Sequence, residues 1–392
     1  MLPLEGIKII SLEQAVAAPF ASRQLADLGA RVIKIERPET GDFARNYDQT
    51  VKGMSSHFVW INRSKESLTL NMKADSGKSI FKDLLKDADV VLQNLAPGAM
   101  NRLGFSNEEL HKINDKLIIC NISGYGSNGS YVNKKAYDLL IQCEAGFLSI
   151  TGTEETPSKA GISVADIAAG MYAYSGILSS IIKRARTGKG EVLDISMLEA
   201  LGEWMGFPMY YSLYGDKEPK RTGSHHATIY PYGPFQTAGE ETIFFAIQNE
   251  REWVNFCENI LHNPDLAVDS RYCNNSKRVE NKESLQREIE DVLSTKSLHE
   301  VMNELEENKI ANAQLKNIKQ FANHTQLRER KRWIDVETPV GRIKSLLPPA
   351  ANSKEDIKVS PIPEIGEHTN QILTELGMDQ DTIKQLKDSQ VI

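Results

Sequence analysis

Asp166 stands among small and apolar residues in the run Ile162-Ser163-Val164-Ala165-Asp166-Ile167-Ala168-Ala169-Gly170, where the pattern opens an apolar helix. Two chemistries fit a carboxylate there. It can cap the helix by accepting hydrogen bonds from free amides. It can also act as a nucleophile, since small neighbours leave room for a bulky acyl group and helix-end amides can stabilise an oxyanion. The residues alone leave both open.

Other candidates are weaker. Gly124-Tyr125-Gly126-Ser127-Asn128-Gly129 follows a strand pattern. It lacks the closing Gly-Lys-Ser/Thr of a phosphate loop, so it reads either as a mobile loop or as a small-residue wall beside a ligand. Glu36 ends a strand pattern roughly where a dinucleotide fold holds a ribose, but the preceding loop, SLEQAVAAP, has no glycine. A pyrophosphate cannot approach that backbone, which argues against a nicotinamide or flavin site. His225 and His226 are adjacent and so badly placed to share a metal. They read as a dipole or cation facing a substrate anion, or as a surface pair. No serine sits in a nucleophile elbow. Cys120, Cys143, Cys257 and Cys273 show neither zinc-ligand nor disulfide-framework spacing, which predicts no metal site and free thiols in a reducing compartment.

The scaffold for these residues is legible as alternation. Residues 7–12 (IKIISL), 31–35, 67–70, 88–92 and 116–122 read as short buried strands. Helical patterns lie between them at 19–28, stopped by Gly29, and at 77–86, with another opened by the capping-box pair Ser106 and Glu109. Further helices are expected at 137–148, 164–183 and 197–213, with a strand at 191–195. The expected fold is α/β: an open, Rossmann-like parallel sheet in a large domain, with a smaller α+β domain. The charged, turn-rich run GDKEPKRTGS at 215–224 marks a boundary. The expected division is residues 1–214 as the N-terminal part of the large domain, 215–229 as a linker, 230–325 as the small domain, and 326–392 as a linker and return to the large domain.

The chain has 392 residues, with 46 Lys and Arg against 53 Asp and Glu, a net charge of −7. That excludes a general nucleic-acid binder, which needs clustered cations. No basic segment followed by an apolar one opens the chain, and the most apolar run, 168–182, is short for a bilayer. A soluble cytoplasmic protein without membrane partners is expected.

Many ordered motifs resemble one family. PLEGIKIISLEQAVAAPFASRQLADLGARVIKIERPETGDFAR, NRSKESLTLNMK, ADVVLQNLAPGAMNRLGF, ISGYGSNG, KAYDLLIQCEAG, VADIAAGMYAYSGIL, RTGKGEVLDISMLEA and IGEHTNQILTELG are similar to the class III coenzyme A transferases. This family includes formyl-CoA transferase, carnitine-type CoA transferases and α-methylacyl-CoA racemase. The resemblance spans nearly the whole chain, least securely residues 235–335. It implies a Rossmann-like large domain completed by the C-terminal segment, and a homodimer whose subunits interlock as rings. It also implies an acyl-CoA:carboxylate CoA-transferase, with coenzyme A arriving as substrate and no permanently bound cofactor.

Residue by residue, the resemblance implies Asp166 as nucleophile, with Gln14 and Ala15 near the reacting sulfur. Arg37 and Arg102 would meet phosphates, and Lys73, Asn94, Leu95, Lys135, Tyr137 and Asp138 would line the CoA site. Tyr137, a poor base near neutral pH, stands where racemase members have a histidine, which disfavours an epimerase, the main alternative. A non-catalytic CoA-binding protein would have no need of Asp166. Tyr47 replaces the tryptophan of formyl-CoA transferases, and no glycine run follows in the small domain, which points away from formate and oxalate. SLEQAVAAPF and GDFARNYD look most like members using small dicarboxylates. Arg45, His57, Arg63, His225 and His226 are candidates for the distal carboxylate.

Overall fold

The computed structural model describes residues 1–215 and 218–392; Asp216 and Lys217 of the expected linker lie outside the described residues. In chain order the first elements are β1 (Lys8–Leu12), α1 (Ala17–Asp27), β2 (Arg31–Glu36), α2 (Ser56–Ile61), β3 (Lys65–Thr69), α3 (Asp75–Leu85), β4 (Val90–Gln93), α4 (Ala99–Leu103), α5 (Asn107–Ile113), β5 (Ile118–Ser123), α6 (Asp138–Glu144), α7 (Phe147–Ile150), α8 (Val164–Thr187), β6 (Val192–Ser196) and α9 (Met197–Trp204). Two compact units result. One comprises Met1–Gly146, Ala160–Phe207 and Gln326–Ile392; the other comprises Phe147–Lys159 and Pro208–Thr325.

The first unit holds a six-stranded sheet in the order β3-β2-β1-β4-β5-β6, every pair parallel. Helices cover both faces, so the central strands are rich in buried apolar residues, with Ser11 of β1 and Lys34 and Glu36 of β2 buried among them. Ile10, Leu12, Ile33, Ile35, Val91 and Ile119 pack with Ile80, Phe81 and Leu84 of α3. The C-terminal helices Thr369–Glu375 and Gln380–Asp388 add Ile372, Leu373 and Ile383 to this core. Chain order reverses on either side of β1, which pairs with β2 on one side and β4 on the other. In parallel sheets, ligands bind at the carboxyl ends of the strands beside such a switch point.

α1 begins without a side-chain cap, and Pro19 sits in its first turn, where helical amides have no intrahelical partner. α8 is long and apolar enough, by length and composition, to cross a membrane. Here Ala165, Ala168, Ala169, Gly170, Ala173 and Ile177 are buried, and the helix packs against α1 and α9. Gly170 permits this closeness: a Cβ on it would lie 2.7 Å from the Ala17 carbonyl oxygen and 3.0 Å from the Phe20 ring.

The second unit is built on an antiparallel sheet of β7 (Tyr232–Gln236), β8 (Thr242–Ala246) and β9 (Ala311–Gln314), in that order. Helices Glu250–Asn259, Lys282–Leu293 and Leu298–Glu307 cover it, burying Phe235, Phe245, Trp253, Phe256, Leu285 and Ile289. Phe147–Lys159 joins this unit through the bond from Gly223 N–H to the Gly152 carbonyl and through Arg221, which donates to the carbonyls of Thr153 and Glu154.

Candidate active site

Asp166 lies in the first turn of α8. Ser163 at the cap position makes no side-chain cap bond. The cap comes from a distant residue instead: Asp138, first in α6, accepts the amides of Ala165 (2.8 Å) and Asp166 (3.3 Å) on Oδ1. Its Oδ2 accepts Gln142 Nε2 (2.6 Å), and Gln142 Oε1 accepts the Ala160 amide. Asp138 thus fixes the helix end that carries Asp166.

Burial, and then the like charge of Asp138, push the ionisation of Asp166 from an ordinary 3.8 up to about 7. Low dielectric disfavours the charged form, and a second carboxylate adds to that. The result is a partly buried, poorly solvated carboxylate that ionises near neutrality. Poorly solvated carboxylates are the more reactive nucleophiles.

The turn between β1 and α1 faces the same region, because Gly170, one helical turn on from Asp166, lies against Ala17. Ala15 there is left-handed, at φ 59°, a conformation that costs a non-glycine residue about 1 kcal/mol. Three clamps hold it. Asn94, after β4, accepts the Gln14 amide (2.8 Å) and donates to the Gln14 carbonyl (2.9 Å), bridging the switch point. Asp42 Oδ1 accepts the amides of Ala15 (3.1 Å) and Ala44 (2.9 Å). The Phe43 amide donates to Gln14 Oε1 (3.2 Å).

Asp42 is itself anchored. It is fully buried, its Oδ2 accepts Lys34 Nζ (2.6 Å), and its amide donates to Glu36 Oε1 (2.9 Å). Lys34 also reaches Glu13 (3.4 Å), which accepts Lys65 Nζ at 2.7 Å. Burial pulls Lys65 down to about 7, whereas Asp42 and Glu13 hold Lys34 above its ordinary value against its own burial. Tyr47 completes the surround. Burial, and then the carboxylates of Asp42 and Asp166, raise its phenol pKa. Its ring meets His57 edge-on, with centroids 5.3 Å apart.

The expected cofactor residues divide into two groups. Arg37, Lys73, Arg102 and Lys135 are exposed, and none is in an ion pair among the described residues. Arg37 follows β2 and Lys73 follows β3, while Arg102 lies in α4 after β4, so these three belong to the carboxyl edge of the sheet. Arg102 donates to the Pro97 carbonyl (3.1 Å) across Gly98, whose φ of 71° is left-handed; a Cβ there would lie 2.9 Å from Arg102 Nη1. Tyr137, 69% exposed, precedes α6. By contrast Asn94 is committed to the Gln14 backbone and Asp138 to the Ala165 and Asp166 amides and Gln142, the Ala15 amide donates to Asp42 Oδ1, and the Leu95 amide donates to Gln93 Oε1.

Two of the carboxylate-clamp candidates are engaged elsewhere. Arg63 is buried on Asp27, and Arg45 pairs with Glu36 while lying over the Phe58 ring. His57 keeps nearly half its side chain exposed, with Asp48 Oδ2 3.6 Å from its Nδ1. His225 and His226 belong to the second unit; His226 stacks on Tyr232 and His225 packs beside Phe235. Among the described residues no group of three or more His, Cys, Asp or Glu side chains is placed to hold a metal.

A model of CoA-transferase family III matches residues 4–369. The chain belongs to this family. A succinyl-CoA:glutarate CoA-transferase of Mus musculus is 33% identical to this CoA-transferase over 401 residues, covering 100% of this chain and 91% of that protein. A formyl-CoA:oxalate CoA-transferase of Shigella sonnei (strain Ss046) is 31% identical over 418 residues, covering 100% and 99%. The crystal structure of a CaiB/BaiF family protein from Brucella suis superposes with a TM-score of 0.84 at 31% identity, covering 96% of this chain and 99% of that one. The expected family and fold are therefore those of this chain, and CoA thioesters are the substrates of such an enzyme.

Asp166 was singled out by its sequence surroundings and Gln14 by the family resemblance, whereas neither pointed to Asp42 or the Phe43 amide. One local signal existed: Asp42 precedes a short turn, Phe43–Asn46, whose Ala44 amide it caps.

Proposed function

We propose that this CoA-transferase moves CoA between small acids, at least one of them a dicarboxylate, through covalent intermediates on Asp166. The observation that carries this reading is a poorly solvated carboxylate on the first turn of α8, flanked by Ala165 and facing the clamped Gln14 turn. An Asp166 oxygen attacks the thioester carbonyl; collapse expels CoA thiolate and leaves a mixed anhydride. The thiolate attacks the aspartyl carbonyl and releases the first acid as its carboxylate, leaving an aspartyl-CoA thioester. The acceptor carboxylate attacks this thioester to form a new anhydride and thiolate. The thiolate then takes the acceptor's acyl group and restores the Asp166 carboxylate. Every intermediate stays activated, so no ATP is needed.

Arg37, Lys73, Arg102 and Lys135, which make no ion pair among the described residues, are the candidates to meet CoA phosphates. Asn94 and Asp138 serve the site by holding Gln14 and α8. The first unit is the CoA-binding part. The dicarboxylate reading is supported by the names of relatives that use glutarate and oxalate, and His57 beside Tyr47 is the candidate partner for a distal carboxylate. A homodimer is supported by the exposed apolar side chains of Met209, Tyr210, Leu213 and Tyr214 on the helix Gly206–Gly215, because a patch of this kind marks an interaction surface. Exposed free thiols at Cys143 and Cys273 suit a reducing cytoplasm.

The test is transfer from succinyl-CoA to a panel of mono- and dicarboxylates, read by mass spectrometry, for wild type and Asp166→Ala. Wild type should prefer glutarate to butyrate, and Asp166→Ala should bind CoA but transfer nothing. An active Asp166→Ala would end the covalent reading; equal specificity for butyrate and glutarate would end the dicarboxylate reading alone.

A further inference from the structure

Gln14 is buried, yet its side-chain amide has a fixed polarity. A side-chain amide can present either its oxygen or its NH₂, and the hydrogen-bond partners decide which. The Phe43 amide can only donate, so the atom it meets at 3.2 Å is Oε1. Nε2 is then the outward group, and it has no hydrogen-bond partner among the described residues. The backbone on both sides is held independently by Asn94 and by Asp42. Asp42 and Phe43 belong to one turn, with Asp42 as its cap, buried on Lys34.

We propose that the Asp42–Phe43 turn is a positioning device that locks the Gln14 amide so that it offers N–H donors, and no acceptor, to the oxygens that become negative when Asp166 is acylated. The inference rests on the covalent reading above and assigns a task within it. Each tetrahedral intermediate on the acyl or aspartyl carbon carries an oxyanion, and each leaving acid is a carboxylate. Donors stabilise both, and an amide turned the other way would repel them. A preorganised donor has no reorientation to make as charge develops, which is why holding its oxygen from behind matters. Phe43 and Asp42 touch no reacting atom; they act through Gln14.

Phe43→Pro removes the one N–H in question. The position tolerates proline: it opens the turn, and Asp42 before it has φ −72° and ψ 130°, the conformation a residue takes ahead of proline. Phe43→Ala loses the ring and keeps the N–H. With succinyl-CoA as donor and glutarate as acceptor, Phe43→Pro should show a kcat at least about fivefold below that of Phe43→Ala, with KM for succinyl-CoA within about twofold and a similar melting temperature. A purely structural role would lower the melting temperature without splitting kcat from KM.

A second pair needs no proline. Gln14→Glu keeps an oxygen for Phe43 but puts another oxygen where Nε2 was, so it should fall below Gln14→Ala in kcat. Equal kcat for the two Phe43 variants, or a Gln14→Glu enzyme as fast as wild type, would overturn the proposal. The covalent reading fails by a different sign in the same assay, an active Asp166→Ala, so the two failures are distinguishable.

Discussion

Asp166→Asn should stabilise the folded protein at pH values above about 4, increasingly up to about 7 and fully beyond it. The unfolded chain releases this proton near 3.8, whereas the folded protein holds it until about 7. Between those values the folded state binds more protons than the unfolded state, so the contribution of Asp166 to stability is best at low pH and is lost as pH rises towards 7. At about 1.4 kcal/mol per pH unit, the ionised side chain costs the fold up to about 4 kcal/mol. Asp166 keeps some contact with solvent, which brings the expected figure to about 2 kcal/mol. Asparagine is nearly isosteric and cannot ionise. Its melting temperature at pH 8 should therefore exceed that of wild type by on the order of 2 °C. At pH 4 the two should melt together. The assay is a thermal melt of both proteins across pH 4–8 in one buffer system. A constant difference across that range, or none at pH 8, would refute the argument that burial and Asp138 hold this carboxylate protonated.

Three further outcomes follow from the site. Arg37→Ala and Arg102→Ala should each raise KM for every acyl-CoA by roughly tenfold to a hundredfold, whichever acid accepts, since each removes a charge-assisted contact worth about 1.5–3 kcal/mol; steady-state kinetics with two donors checks this. The acylation rate should rise with pH through about 7 as Asp166 ionises, and Asp138→Asn should move that rise to lower pH by a small amount, because burial is the larger cause. Gly170→Val should cost about 1–3 kcal/mol of stability and more than tenfold in transfer rate, since its Cβ would lie 2.7 Å from the Ala17 carbonyl and must push α8 and Asp166 away from the Gln14 turn; melting and kinetics on the same preparation measure both.

The parallel sheet was legible because its strands carry short buried apolar runs, as in Ile9 and Ile10 of β1 or Ile118 and Ile119 of β5, although Ser11 and Lys34 interrupt β1 and β2. Asp166 was legible through its small neighbours. What holds the site was not. Asn94 meets Gln14 across 80 positions, and Asp138 meets Ala165 across 27. Both bonds join a side chain to a backbone amide that only the strand order brings near. No periodicity encodes them. Asn94 and Asp138 were recognisable as residues of a family motif, but their local sequence gave no way to tell a ligand contact from a backbone clamp. Phe147–Lys159 is a similar case, tied to Arg221 over 68 positions. Arg45 and Arg63 looked like free cations, and only the fold reveals Glu36 and Asp27 beside them.

The central claim is that the acyl group passes through the Asp166 side chain. It is tested most directly by incubating the enzyme with succinyl-CoA, quenching with hydroxylamine, and sequencing the peptide spanning residues 162–171 by mass spectrometry. A hydroxamate on Asp166 is expected, dependent on succinyl-CoA and absent without it. An enzyme that transfers CoA at full rate while this peptide stays unmodified would contradict it.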